Sequence, residues 1–436
     1  MALQLLGAPT DPALLDLPWD VPLEEWPADQ LVALPRGISR HVVRFVRLGD
    51  LVFAVKEIAE PIALREYGLL RQLERREMPA VEAVGVVSGR VDADGQPLDP
   101  ALVTRHLQFS LPYRALFSST LRPDTATRLI DALAALLVRL HTAGFYWGDC
   151  SFSNTLFRRD AGAFAAYLVD AETGELHATL SAGQRGYDVD LARTNIAGEL
   201  LDLDAGTLLH ESIDPVEIAD RVVERYGDLW QELLGAETFD TGERYRIDQR
   251  IRRLNDLGFD VAELNIITDV DGRTVRLEPK VVDAGHHSRR LLRLTGLDVE
   301  ENQARRLLND LDAYRAAHDV QGESEEIVAH RWLADSFEPV VRAVPKDLRG
   351  KLEPAEIFHE VLEHRWFLSE RAGRDIGLMP AARSYVAEIL SQKPDEQAVL
   401  GSRIGTPTVE AAPYDPDDPW DSLDSSSSEG SEGSEG

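Results

Sequence analysis

GFYWGDCSFSNTLF, residues 144–157, decides the fold. It follows DTATRLIDALAALLVRLHTA (124–143), a run apolar on more than one face, which predicts a buried helix ended by Gly144. It runs into a short apolar strand, and between helix and strand Asp149 stands five residues before Asn154. Taken alone, Asp-x-x-x-x-Asn reads as an Asx-turn pair. The same spacing also joins a proton acceptor to a metal-binding amide in a phosphoryl-transfer loop. The flanking sequence chooses between them.

Phosphoryl transfer from ATP asks a protein for little covalent chemistry. It needs a cation against the α/β-phosphates, a carboxylate to fix that cation's side chain, oxygen ligands for Mg²⁺ and an acceptor for the substrate's hydroxyl proton. Candidates occur in that order. Lys56, in FAVKEI, lies inside a strand, where a charge has no packing reason to be. Glu66 lies ten residues on, in the helix LREYGLLRQL. Asp170 ends the apolar strand in AFAAYLVDAETGE, sixteen residues after Asn154. Each has a plainer reading alone: a lysine on a solvated strand edge, an aspartate capping a helix. Four in the right order, on the right element types, outweigh those readings.

FAVKEI, LREYGLLRQL, RLHTAGFYWGDCSFSNTLF and YLVDAETGE, taken in sequence, resemble the protein-kinase-like superfamily. The nearest resemblance is to the lipopolysaccharide (Kdo/WaaP-type) kinase-like proteins and the actinobacterial domain family of unknown function beside them. It covers about residues 31–235. It implies an α+β, bilobal fold with a small β-rich N-lobe (31–110) and a helical C-lobe (111–235), with ATP and Mg²⁺ in the cleft. It further implies Lys56 paired with Glu66, Asp149 as catalytic base, and Asn154 and Asp170 as metal ligands. Gly37 and Ser39, in PRGISRHVV, are the remaining nucleotide-contact candidates; a kinase glycine-rich loop would read G-x-G-x-x-G, and this stretch has one glycine. Two further departures flank the chemistry: Trp147 replaces the usual His or Arg, and Ala171-Glu172 replaces Phe-Gly. The acid and amide ligands remain, so the expectation is an ATP-dependent phosphotransferase acting on a hydroxyl of an unknown acceptor. Its rival is a pseudokinase, a nucleotide-sensing or protein-binding scaffold.

The rest of the chain sets limits. A formal charge of −30 over 436 residues disfavours nucleic acid as a partner, including a reading built on the basic stretch 244–306. One cysteine, Cys150, forms no internal disulfide and reads as a packed residue; with no apolar run of membrane-spanning length and no basic leader, the expected location is cytoplasmic. Residues 1–30 read as an extended arm pinned by Trp19 and Trp26, and HVVRFVRLG with DLVFAVKEI as a hairpin. A mostly helical accessory module, expected over 236–395, contains a hairpin turned at Asp271-Gly272. Within it His286-His287 reads as a turn into a basic helix face rather than a metal site, Arg289, Arg290 and Arg293 are an open option for phosphate or an acidic partner, and the repeated HRW at 330 and 364 reads as coincidence with both tryptophans as core anchors.

From Ile404 to Gly436 there are nine acidic residues and no Lys or Arg, closing in SSSSEGSEGSEG, a composition that cannot offset its ordering entropy. The tail is expected to be disordered, and with the accessory module it is the candidate surface for a protein partner. Deleting residues from about 404 onward should move the melting temperature by no more than a few degrees. A collapse of the thermal transition on truncation would show that the tail docks on the body.

Overall fold

Lys56 lies in the middle of a sheet, not at its edge. The computed structural model describes residues 3–7, 12–32, 41–49, 51–117, 123–210, 212–235, 237–240, 245–257, 259–268 and 274–396; Gly37, Ser39, the Asp271-Gly272 turn and the 404–436 tail lie outside them. The first elements are β1 (Gln4–Gly7), β2 (Val43–Leu48), β3 (Leu51–Glu57), α1 (Glu60–Arg75), β4 (Ala83–Ser88) and β5 (Ala101–Arg105). They form an antiparallel sheet in the order β1-β4-β5-β3-β2. The β2–β3 hairpin matches the expected one, with Gly49 supplying the left-handed turn residue at φ +59°. Pro61 sits in the first turn of α1, where its missing N–H costs no helix bond.

The arm is more structured than an extended strap. It contributes the edge strand β1, paired with β4, and two 3₁₀ turns at Pro12–Asp16 and Leu23–Glu25. QLLG is too short to show periodicity, and its partner lies some eighty residues away. Trp19 and Trp26 are buried edge to face, 5.3 Å between ring centroids. The fully buried Arg90 fixes the arm by donating to the carbonyls of Trp19 and Val21 and to the Glu57 carboxylate.

The helical part follows: β6 (Ser110–Pro112), α2 (Tyr113–Leu116), α3 (Pro123–Thr142), β7 (Phe145–Tyr146), β8 (Thr155–Asp160), β9 (Ala163–Leu168), β10 (Glu175–Leu176), α4 (Ala182–Ala205) and α5 (Pro215–Leu234). Helix α3 is buried as its composition predicts, packing on α5 and on the β8–β9 hairpin. Helix α4 starts at Ala182, ahead of the apolar run that begins at Tyr187. Two glycines make its first turn look like a loop, but Ser181 and Gln184 close a reciprocal capping box.

The accessory part contains β11 (Glu237–Asp240), α6 (Tyr245–Asp256), β12 (Phe259–Thr268), β13 (Thr274–Ala284), α7 (His286–Thr295), α8 (Glu301–Ala317), α9 (Glu325–Trp332), α10 (Glu338–Ala343), α11 (Pro354–Ala372) and α12 (Leu378–Glu388). β12 and β13 pair as the expected hairpin. The core around α3 also takes in Leu254 and Phe259, whereas a second core, from Leu291 to Leu390, is built by α7–α12. Trp332 anchors that second core, its Nε1 donating to Asp310 at 2.8 Å. Trp366 does not: it is 58% exposed against Phe367, because position 366 falls on the outer face of α11.

Charged residues at the tip of the β8–β9 hairpin join the two parts. Asp160 accepts from the backbone amides of Asn302 and Gln303 at 3.2 and 2.7 Å and from Asn302 Nδ2 at 2.8 Å, so a strand residue caps α8. Arg158 pairs with Glu300 at 3.0 Å and with Glu353, Arg159 meets Glu396 at 2.8 Å, and the Ala161 amide donates to Glu356 at 2.8 Å. Burial, and next the charge of Glu300, push the Asp160 carboxyl from 3.8 up to about 7, against the opposing pull of its amide donors. The folded state therefore holds this proton more tightly than the unfolded chain, and its contribution to stability declines as pH rises from 3.8 to about 7. Urea midpoints measured across that range should fall less steeply with pH for Asp160→Asn than for the unaltered chain. Equal slopes would refute the assignment.

Candidate active site

A buried ammonium is tolerated only with partners. Lys56 is 9% exposed and has three: Nζ donates to Glu66 Oε2 at 3.1 Å, to Asp170 Oδ2 at 2.7 Å and to Glu172 Oε2 at 2.9 Å. Its backbone is held on both sides, opposite Val43 of β2 and Leu102 of β5. Glu66 lies on the buried face of α1, in register with Ala63, Leu70 and Leu73, so the packing that seats the helix also aims the carboxylate. Burial works against the charge on Lys56, but Glu66 and Asp170 outweigh it and raise its pKa. Burial, then Asp170, raises Glu66, offset in part by Lys56. Glu172, unremarked as a site residue in the sequence, also meets His41 Nε2 at 3.1 Å. The oxygens of Glu66, Asp170 and Glu172 lie within 4.8 Å of one another. Three carboxylates around one ammonium leave a net negative, hard-oxygen set, and such a set fits Mg²⁺.

Asp170 is placed by the sheet that also places Asn154. The Val169 amide donates to the Asn154 carbonyl at 3.0 Å just beyond the Thr155–Leu168 pair, so both residues leave the open end of the β8–β9 hairpin together. Trp147, a departure in sequence terms, proves to be a strut. Fully buried, it donates from Nε1 to the Asp170 carbonyl at 2.9 Å and accepts from Thr173 Oγ1 at 2.8 Å. Gly148 is required by shape: its φ is +76°, and a Cβ would lie 3.0 Å from the Tyr146 ring.

Asp149 is oriented by two amides. Asn154 Nδ2 donates to Asp149 Oδ2 at 3.1 Å, and Asn195 Nδ2 donates to Asp149 Oδ1 at 3.1 Å and to the Cys150 carbonyl at 3.2 Å. Asn195 comes from α4, as do the other supports of the loop. Asp188 accepts from the backbone amides of Trp147 and Gly148, both at 2.8 Å, and from His141 Nε2 at 3.0 Å; His141 Nδ1 then accepts from the Tyr226 hydroxyl at 2.7 Å. Glu199 accepts from the amides of Phe152 and Ser153 at 2.8 and 2.9 Å. Residues 188, 195 and 199 recur at seven and four, one stripe of a helix. The sequence reading named none of them, although polar residues at that spacing inside YDVDLARTNIAGELL were the available signal. Cys150 is buried as expected, and burial, followed by Asp188, pushes its thiol well up, so it is no reactive nucleophile.

Asp188→Ala leaves three buried donors without their acceptor. With roughly 1–3 kcal/mol for each buried polar group left unpaired, it should be the most destabilising single change on α4, of order several kcal/mol. Chemical denaturation of the variant is the check. A loss below about 1 kcal/mol would show that the loop holds itself without the helix.

Residues 50–196 match the model of the lipopolysaccharide kinase (Kdo/WaaP) family, and residues 228–390 match a domain of unknown function (DUF4032). No curated protein matches the chain. Among solved structures, WaaP in complex with acyl carrier protein aligns over 59% of this chain and 99% of its own, at 15% identity and a TM-score of 0.34. No helix among the described residues is long and apolar enough to cross a membrane. The lipopolysaccharide kinase (Kdo/WaaP) family match falls on β3 through the first part of α4, the kinase-like segment that carries Lys56, Glu66, Asp149, Asn154 and Asp170.

Proposed function

We propose that the chain is an ATP-dependent phosphotransferase that moves the γ-phosphoryl group of ATP to a hydroxyl of an acceptor. The observation that carries this is the buried Lys56 bridging Glu66 and Asp170 while Asp149 is held beside Asn154. Lys56 supplies fixed positive charge for the phosphates, and Glu66 keeps it in place. Asp149, with each carboxylate oxygen engaged by a side-chain amide, is the acceptor for the proton that leaves the attacking hydroxyl. Asp170 and Asn154 are the residues to hold Mg²⁺, with Glu172 within reach of the same ion; the metal neutralises developing phosphate charge when bound. The buried Trp147 and α4 keep this loop from relaxing as charge redistributes, which is where preorganisation gains its effect.

A second reading rests on one contact. Glu172 occupies Lys56 at 2.9 Å and also meets His41, so the cation that would meet phosphate already has a carboxylate on it. That arrangement suits a scaffold without turnover, in which Glu172 closes the site.

Thermal-shift titration with Mg²⁺·ATP should stabilise the protein, as a ligand that binds only the folded state must. Asp170→Asn should weaken that shift together with turnover. Asp149→Asn should keep the shift and lose turnover by roughly 10²–10⁴-fold, the share usual for positioned acid–base groups. No stabilisation at millimolar Mg²⁺·ATP would eliminate the phosphotransferase and leave a scaffold closed by Glu172, whereas stabilisation with no turnover in the unaltered protein would leave a nucleotide-binding scaffold.

A further inference from the structure

Helix α8 has two faces of different chemistry. Ala304, Leu307, Leu308 and Leu311 are buried in the second core. Asn302, Arg305, Arg306 and Asn309, at i, i+3, i+4 and i+7, form another stripe, and all four line a cavity of about 490 Å³. His359 and Glu363, one turn apart on α11, close a second side; His287, in the first turn of α7, and Ala161, at the β8–β9 tip, complete it. The cavity thus sits where the accessory helices meet the hairpin whose other end carries Asn154 and Asp170.

The charge of this cavity runs against the rest of the molecule. In a chain of net charge −30, its lining holds two arginines, two histidines and two carboxamides against a single carboxylate, Glu363. Two neighbouring acids, Glu301 and Asp160, are engaged elsewhere. Glu301 accepts from the amides of His287 and Ser288 at 2.8 and 3.0 Å and from His287 Nδ1 at 2.7 Å, and Asp160 is taken up by the start of α8. His359 is 4% exposed, meets Glu363 at 3.5 Å through Nε2, and has a buried Nδ1 with no hydrogen-bond partner. A buried ring nitrogen without a partner is unusual enough to need a reason.

We infer that this cavity binds a phosphate monoester. Two guanidiniums on successive positions of one helix offer forked donors to several oxygens of one dianion, and the carboxamides and imidazoles extend the donor set. Glu363 suits a hydroxyl of the ester's organic part. The volume admits more than inorganic phosphate, and the group has two sources: a small phosphorylated metabolite, or a phosphoserine of this chain's own SSSSEGSEGSEG segment. The second source is within reach, because Glu396, near the end of the described chain, is paired with Arg159, two positions from the cavity wall at Ala161. This site lies apart from Lys56 and Asp149, so its test reads binding rather than turnover.

Isothermal titration of the full chain with inorganic phosphate and with glycerol phosphate tests the first source, and titration with a synthetic SSSSEGSEGSEG peptide, phosphorylated or not, tests the second. Binding by at least one phosphorylated probe is expected, absent for the unphosphorylated peptide and weakened about tenfold or more in the Arg305→Gln, Arg306→Gln double variant. Melting temperature checks that this variant is folded, and His359→Gln, which keeps a donor and volume close to the ring, serves as a second variant expected to weaken the same binding. Preference for the peptide over glycerol phosphate assigns the tail as source, and the reverse assigns a metabolite. No binding by any phosphorylated probe, or binding that both variants leave intact, overturns the inference.

Discussion

Asp188 is the constraint on which the rest depends. Its carboxylate is fully buried, a situation that is costly unless every oxygen is answered by donors. Here the donors are the backbone amides of Trp147 and Gly148 and the imidazole of His141. One charge therefore fixes the end of α3, the entry to the Asp149 loop and the second turn of α4 at once. Because Trp147 also holds the Asp170 carbonyl, the same charge indirectly sets the spacing of the candidate base and the candidate metal ligand. Glu199 and Asn195 extend this support along α4, so the loop is positioned by a rigid helix rather than by its own turn propensities.

Much of this was legible in the sequence, for a physical reason. Residues whose role is to carry charge into an apolar setting stand out against their surroundings: Lys56 in FAVKEI, Asp170 after YLV, Asp149 and Asn154 in a polar break between helix and strand. The two helices with the strongest apolar signal, α1 and α3, lie where the pattern put them. The supports were harder to read, because Asp188, Asn195 and Glu199 look like the ordinary polar face of a surface helix until it is known that this face is turned inward. Periodicity tells which residues share a face, not what that face meets. Trp366 failed for the mirror-image reason, its size suggesting a core that its helical phase denies it.

The departures from a typical kinase sequence take on physical content in the fold. Trp147 in place of a smaller polar residue fills the volume under the loop and ties it to Asp170. Glu172, where a glycine would leave open backbone, instead adds a carboxylate to the Lys56 cluster and draws in His41. Both changes tighten the site.

The pairing of Arg159 with Glu396 has a consequence for how the protein is made. These residues are 237 positions apart, and the sheet strand bearing Arg159 is the one that begins next to Asn154. At a synthesis rate of about 5–20 residues per second, the ribosome needs roughly 10–50 s after making the hairpin to deliver its last partner. During that interval Arg158, Arg159 and Asp160 stand at a hairpin tip without the helices that neutralise them. The kinase-like segment is thus born with an unfinished edge, and the accessory helices act as a late-arriving keystone rather than as a separate bead on the chain.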